Sequence, residues 1–296
     1  MLSLLAASGA AEPIYWENLG LRPYLFEIGG FQLRFYSLAY LLGILLAYWH
    51  LSKMIKAPGA PMAQRHADDL FFYCTLGVIL GGRLGYVAFY RPELFVDFSH
   101  EGWMPWGLPR LWDGGMSFHG GVIGVVLALL WVSYRNKLNW LRVSDYIAVN
   151  VPFGMFFGRL ANFVNGELWG RPTDVPWAMV FPSDPSQLAR HPSQLYQAGL
   201  EGLAMMAIML SLFWLTKARW KPGLLVGVFT AGIATARFIN EFFRQPDAQL
   251  TEFAMRTGLS MGQWLSIPMI LVGIAVIVYA MQNKTGRVDA PATSES

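Results

Sequence analysis

Charge is what this sequence has least of. Of its 296 residues only 14% are charged, against about a quarter in a soluble domain, so most of its surface has no need of water. It also has a single cysteine, Cys74, set inside an apolar block. A disulfide within the chain is therefore excluded, and the residue reads as a small buried apolar group. There is no internal repeat, and no low-complexity segment beyond a short polar tail after Gln282. Metal-ligand spacing and a phosphate-cradling loop are both missing, so no metal, no cofactor and no nucleic-acid partner is expected. The first residues, Met1 to Ala11, lack a positive leader, and Ser3 and Ser8 break their apolar stretch. They are not read as a cleaved signal.

What is present is apolar: 54% of the residues are hydrophobic. They fall into blocks of about twenty, long enough to cross a hydrocarbon core roughly 30 Å thick. A backbone in lipid must bond to itself, which favours helices. The expected fold is an all-α integral membrane protein with seven transmembrane helices. The spans are predicted near 36–50, 70–90, 119–134, 146–164, 195–215, 224–243 and 263–281, within a single membrane domain over 1–282, followed by a polar tail over 283–296. Pro58, Pro61, Pro222 and Gly223 punctuate connections. The pairs Gly77/Gly81, Gly81/Gly85, Gly120/Gly124 and Gly154/Gly158 predict close helix approach.

The connections alternate in charge. Lys53, Lys56, Arg65, Arg135, Lys137, Arg142, Lys217, Arg219, Lys221, Lys284 and Arg287 lie on one side, with all six lysines of the chain. The other side, which includes the N-terminal segment, has eight arginines, twelve acids and no lysine. Lys and Arg favour the cytoplasm, so the N-terminus is expected outside and the C-terminus inside. Tryptophans band both edges: Trp103, Trp106, Trp112, Trp169, Trp177 and Trp264 outside, Trp49, Trp140, Trp214 and Trp220 inside. The outer connections are 91–118, 166–194 and 244–262. The first mixes Glu93, Phe95, Val96, Phe98 and Trp103, a composition suited to lying in the membrane interface or to simple anchoring.

Ionisable residues inside spans are costly and mark function or pairing. Here they are Arg83, Arg159, Glu201, Arg237 and Glu241, with His119 at the edge of span three. All fall in the outer half of the bundle, and the inner half is nearly uncharged. Arg159 and Asn162 share a helical face, and so do Arg237, Asn240, Glu241 and Arg244 at i, i+3, i+4 and i+7. One explanation is an internal ion pair stapling the bundle. The other is an anion site, because two buried acids cannot neutralise three arginines and guanidinium keeps its charge when desolvated. A phospholipid headgroup is the natural anion at that depth, with Asn162, Asn165 and Asn240 available to its hydroxyls. Asp113 to Gly121 is glycine-rich and leads to His119, which is either a proton acceptor near neutral pH or a helix-start histidine bound to backbone. Ser193 or Gln194 either caps span five or faces the site. His50, His66 and His100 read as interface or loop residues.

Six blocks carry a resemblance. They are Gly81 to Tyr86, Trp112 to Gly121, Gly158 to Arg171, Arg190 to Tyr196, Glu241 to Asp247 and Ser260 to Gln263. Together, in this order, they resemble the prolipoprotein diacylglyceryl transferase family over about Tyr36 to Pro268. The resemblance implies an enzyme of the bacterial inner (cytoplasmic) membrane with a periplasmic N-terminus and cytoplasmic C-terminus. Such an enzyme moves the diacylglyceryl group of phosphatidylglycerol onto the lipobox cysteine of a prolipoprotein signal peptide. A thioether forms and glycerol phosphate leaves. It implies catalytic roles for Arg159 and Arg237, which would neutralise the leaving phosphate, and for His119, which would help deprotonate the thiol. Arg159, Asn162, Glu167, Gly170 and Arg83 are implied substrate-binding residues, with Tyr36, Tyr86, Tyr90, Glu241 and Arg244 in second rank. Two positions depart from the family pattern: Ile233 stands where a tyrosine is common, and Gln197 where glutamate is frequent.

The competing reading is a transporter or binding protein for an anionic lipid or solute. A transporter should show polar residues along a whole path and repeated halves, and the sequence has neither. A receptor matches the span count alone, which is analogy.

Overall fold

The computed structural model describes residues 12–29, 31–245 and 255–283. The stretch 1–11, Pro246 and Asp247 of the fifth block, Lys284 and Arg287 lie outside the described residues, as does the side chain of Trp112. A helix lies at each predicted span. They are α1 (Phe35–Met54), α2 (Gln64–Tyr90), α3 (Phe118–Arg135), α4 (Trp140–Val164), α5 (Ser193–Leu215), α6 (Leu224–Asn240) and α7 (Met261–Gln282). Five of them are long and apolar enough to cross a membrane; the apolar parts of α3 and α6 are shorter. Helix α4 is interrupted at Val149 and Asn150, just before Pro152 in the first turn of its second half. A proline there suits a helix start and breaks a helix interior. Inside α5, Ala198–Ala204 winds as a π-helix, a local widening that often marks functional positions.

The chain divides into two compact units, one of residues 12–50 and 145–283 and the other of residues 51–144. The second is organised around α2 and α3, and glycine decides how closely they pack. A Cβ added at Gly77 would lie 2.5 Å from the Gly124 carbonyl oxygen, and one at Gly85 would lie 2.8 Å from Gly120 Cα. Gly81 and Gly120 oppose each other as tightly, a Cβ on Gly81 meeting the Gly120 carbonyl oxygen. All five predicted small-residue positions on these helices, Gly77, Gly81, Gly85, Gly120 and Gly124, thus meet backbone of the facing helix. In the first unit Gly154 meets Gly43 of α1 in the same way, with a Cβ on Gly43 only 3.0 Å from Gly154 Cα. Gly158 lies one turn on, against Tyr40.

The connections hold more order than the sequence predicts. Strand β1 (Ile14–Tyr15) pairs in parallel with β4 (Met179–Val180), which pairs antiparallel with β5 (Ala189–Arg190). Strands β2 (Tyr24–Ile28) and β3 (Phe31–Arg34) form a separate antiparallel hairpin. Strands this short leave no alternation to read, which is why a purely helical reading misses them. Trp16, Met179 and Phe181 form a small core with Leu21, Phe163 and Trp169 beside it. Trp16 also donates to the Phe163 carbonyl at 2.9 Å, tying this core to the end of α4.

Two of the three histidines expected at an interface or in a loop, His50 and His66, are buried. His50 sits 2.7 Å from Asn150 Oδ1 through Nδ1 and accepts from Trp214 Nε1 at 3.0 Å through Nε2. His66 accepts from the Ala63 amide at 3.1 Å and so helps cap α2. A histidine that finds two polar partners inside a bundle loses little by leaving water. Asp145 is buried as well, at the start of α6, where it accepts from the amides of Gly223 (2.7 Å) and Val226 (2.8 Å). A carboxylate suits the positive end of a helix.

Candidate active site

The first unit gathers most of the predicted polar residues at the end of α6 opposite Asp145. Helix α6 delivers Arg237 and Asn240, and Glu241 follows in the turn that closes it. The i, i+4 spacing places Arg237 Nη2 2.9 Å from Glu241 Oε1. Arg244 reaches the same oxygen at 3.4 Å, and Ser260 donates to Oε2 at 2.8 Å. Ser260 is also the N-cap of α7, in a reciprocal box with Gln263. The next helical position but one is Gly262, where a Cβ would stand 2.6 Å from the Glu241 carboxyl carbon. Only glycine lets α7 begin this close to the carboxylate.

A second buried carboxylate faces the first pair. Glu201, carried by the π-helical turn of α5, accepts from Arg159 Nη2 at 3.1 Å and Nε at 3.3 Å. Its other oxygen takes Asn240 Nδ2 at 3.4 Å and lies 4.0 Å from Arg237 Nη1. The two acids are almost sealed, with side-chain exposures of 1% for Glu201 and 2% for Glu241. The two arginines in front of them are 23% and 30% exposed. Each guanidinium is therefore fixed from behind by a buried acid and keeps an outer edge open. Nη1 of Arg159 donates to nothing among the described residues, which leaves a donor for an anion. An arginine held this way loses little freedom when it binds.

The signature stretch after α4 lies alongside. Asn162 Nδ2 donates to Glu167 Oε1 at 2.8 Å, with Asn165 Nδ2 at 3.5 Å from the same oxygen. Gln194 holds the Glu167 carbonyl at 2.6 Å, and Ser193 holds that of Leu168 at 2.9 Å. Neither side chain caps the helix that it opens; both brace the loop that follows α4. Gly170 is wedged in backbone: its amide donates to the His191 carbonyl at 2.9 Å, and it bridges to Arg244. A Cβ there would lie 2.7 Å from His191 O. Tyr36 on α1 pairs with Tyr40, hydroxyl to hydroxyl, at 3.2 Å.

An ion pair supports this corner from the loop side. Arg190 grips Asp184 with Nε and, at 3.2 Å, with Nη2, while both carboxylate oxygens accept from Ser186. Arg190 Nη1 also donates to the Gly170 carbonyl at 3.2 Å, and its guanidinium lies 3.9 Å above the Trp169 ring. Burial alone would raise the Asp184 carboxyl, but the bonds from Arg190 and Ser186 outweigh it and bring the pKa down to about 2. Burial lowers that of His191, whose Nδ1 is 3.1 Å from the Tyr196 hydroxyl.

In the second unit Arg83 has a different occupation from the one predicted. Its guanidinium donates to the carbonyls of Leu108 and Gly107, both at 2.8 Å, to Gly115 at 3.2 Å, and to Gly114. Four carbonyls satisfy this buried cation, so it needs no anion, and the argument from three arginines against two acids does not hold. Arg83 clasps the glycine-rich loop to α2. The Ser117 amide adds to this by donating to Gly82 O at 2.8 Å. Gly115 packs against the Tyr86 ring, which stacks on Tyr90 with centroids 5.7 Å apart. His119 lies in the first turn of α3, which Ser117 caps.

Some of the site is invisible to sequence spacing. Glu201 and its partner Arg159 are 42 positions apart, and Arg190 reaches Gly170 across 20. The Ser260/Gln263 box was readable from its spacing alone, although its link to Glu241 was not.

Comparison with known proteins gives a consistent result. A family model described as prolipoprotein diacylglyceryl transferase matches residues 23–279. A protein of Erythrobacter litoralis is 71% identical over 289 residues, covering 97% of this chain and all of the relative. Proteins of Zymomonas mobilis (92% of this chain and 95% of the relative) and Rhodospirillum rubrum (88% and 93%) are each 48% identical. All three bear the name phosphatidylglycerol–prolipoprotein diacylglyceryl transferase.

Proposed function

The chain belongs to the prolipoprotein diacylglyceryl transferase family, and from that premise we propose how its residues divide the work. The protein is an enzyme that transfers the diacylglyceryl group of phosphatidylglycerol to a prolipoprotein. The acceptor is the thiol of the lipobox cysteine. The C–S bond forms at the glycerol carbon as the C–O bond to phosphate breaks, and the thiol proton is lost. Glycerol phosphate leaves with growing negative charge.

The observation that carries this reading is the pair of guanidinium groups with buried acids behind them and open edges in front. Arg159 and Arg237 bind the phosphodiester and stabilise the charge it gains on leaving. Glu201 and Glu241 aim them, and Arg244 holds Glu241 from its other flank. Asn162 and Glu167 orient the headgroup, and Gly170 lets the chain pass close by. Tyr36, Tyr86 and Tyr90 are second-rank contacts to substrate, and Arg83 acts through the loop it clasps. His119 accepts the thiol proton, an imidazole nitrogen being able to take up and pass on a proton. Seven spans follow from the apolar blocks, an N-terminus outside and a C-terminus inside from the charge asymmetry of the connections, and an inner-membrane location from the family. The site then opens in the periplasmic leaflet.

The test uses purified protein, phosphatidylglycerol and a lipobox peptide, with released glycerol phosphate and modified peptide both measured. Release that requires the peptide's cysteine supports the reading. Folded protein that binds phosphatidylglycerol and releases nothing refutes it.

A further inference from the structure

Beside the arginine cluster the first unit has a cleft of about 340 Å³, lined by Pro23, Tyr24, Gln32, Arg34, Asn165 and Glu167. That is near the lower end of ligand-pocket size, roughly 300–1,000 Å³. One wall is the β2–β3 hairpin and the other is the corner that follows α4. The corner connects with the reacting region, because Glu167 holds Asn162, one turn beyond Arg159. The rim is open, since Pro23 and Arg34 are both exposed.

The chemistry of the lining is mixed, unlike that of the arginine cluster. Asn165 Oδ1 is buried without a hydrogen-bond partner among the described residues, and such acceptors are costly unless something donates to them. Glu167 engages the two asparagines through Oε1, leaving Oε2 as a second acceptor. Across the cleft Arg34 has only a long 3.4 Å contact to Gln32 and no acid partner among the described residues. The hairpin has two strands, so each keeps one edge that no described strand pairs. A lipid phosphate would meet Glu167 as a like charge, so this carboxylate serves the headgroup through its glycerol hydroxyls and leaves the cleft side to another ligand. A peptide backbone would offer N–H groups to Asn165 and Glu167 and carbonyls to Arg34 and Gln32, the pattern by which extended peptides bind beside a strand.

We propose that this cleft seats the polar peptide segment that follows the reacting cysteine of the protein substrate. The inference rests on the transferase reading, which supplies a substrate whose cysteine enters the membrane site while the chain after it returns to water. The cleft adjoins the arginine cluster through Glu167 and Asn162 and is open to solvent at Pro23 and Arg34, as an exit toward water requires.

The experiment uses the full-length enzyme with phosphatidylglycerol and two lipobox peptides, one ending a single residue after the cysteine and one extending six residues beyond it. For the wild type, the short peptide should show a KM about tenfold higher. Arg34→Glu should raise the KM of the long peptide about tenfold, leave that of the short one unchanged, and leave KM for phosphatidylglycerol and kcat at saturation unaltered. Unaltered kcat shows that the variant folds, and the wild-type comparison of peptides stands even if it does not. Equal KM values for both peptides in the wild type would overturn the proposal. So would a rise in KM for phosphatidylglycerol alone, which would assign the cleft to the lipid headgroup. Absence of turnover with either peptide in the wild type would instead refute the transferase reading.

Discussion

Replacing Asp184 by asparagine tests whether the loop-side ion pair is a structural support of the site. The carboxylate is 1% exposed and Arg190 only 7%. The amide would keep the shape and one acceptor but leave the arginine's charge uncompensated. Breaking one partner of such a buried pair costs about 3–5 kcal/mol. The bond from Arg190 to the Gly170 carbonyl and the stack on Trp169 would weaken with it. The assay is the unfolding midpoint of the purified protein in detergent as a function of pH. Asp184 has its pKa depressed in the folded state, from an ordinary 3.8 to about 2. Its contribution is therefore present above about pH 4 and is lost as the pH falls toward 2. The wild type should lose its advantage over Asp184→Asn across that window, and the two should converge at its acid end. A variant as stable as the wild type at pH 7, or a gap that persists unchanged down to pH 2, would refute the reasoning.

Two further substitutions probe the cluster and the scaffold. Arg159→Lys keeps a positive charge but replaces the planar fork, which holds Glu201 along one edge and presents another outward, by a compact ammonium. With about 1.5–3 kcal/mol per lost charge-assisted bond, kcat/KM should fall on the order of a hundredfold while the protein still inserts; near-normal turnover would remove Arg159 from the phosphate role. Gly81→Ala should destabilise the second unit by about 1–3 kcal/mol through overpacking, whereas Gly121→Ala, whose Cβ would find its nearest neighbour at 3.7 Å, should leave the thermal midpoint unchanged.

What was legible in the sequence follows from what repeats locally. Apolar blocks located the helices, because a helix in lipid leaves its length in the chain. Glycines four apart marked the faces of α2 and α3 that pack closely, though not that they pack on each other. The spacing of Arg237, Glu241 and Arg244 anticipated a real cluster, because neighbours on one helical face meet whatever the tertiary fold. Contacts between distant segments left no such trace. Nothing in the chain says that Glu201 answers Arg159, or that Arg190 supports Gly170. Arg83 misled for a related reason: backbone carbonyls satisfy a buried cation as well as an acid does, and every residue carries one. His50 likewise gave no sign of the Asn150 and Trp214 that enclose it.

The backbone contact between α2 and α3 also bears on how these segments tolerate change in length. Gly77, Gly81 and Gly85 meet Gly124 and Gly120 in antiparallel order, and no side chain between the helices can swell or shrink to absorb an error. One residue inserted between Gly77 and Gly85 would turn the rest of α2 by about 100° and set a valine or a leucine against the facing carbonyls. The same insertion in the loop after Tyr90 would leave that register untouched. Within this unit, variation in length should therefore collect in the connection and be absent from the stretch that separates Gly77 from Gly85.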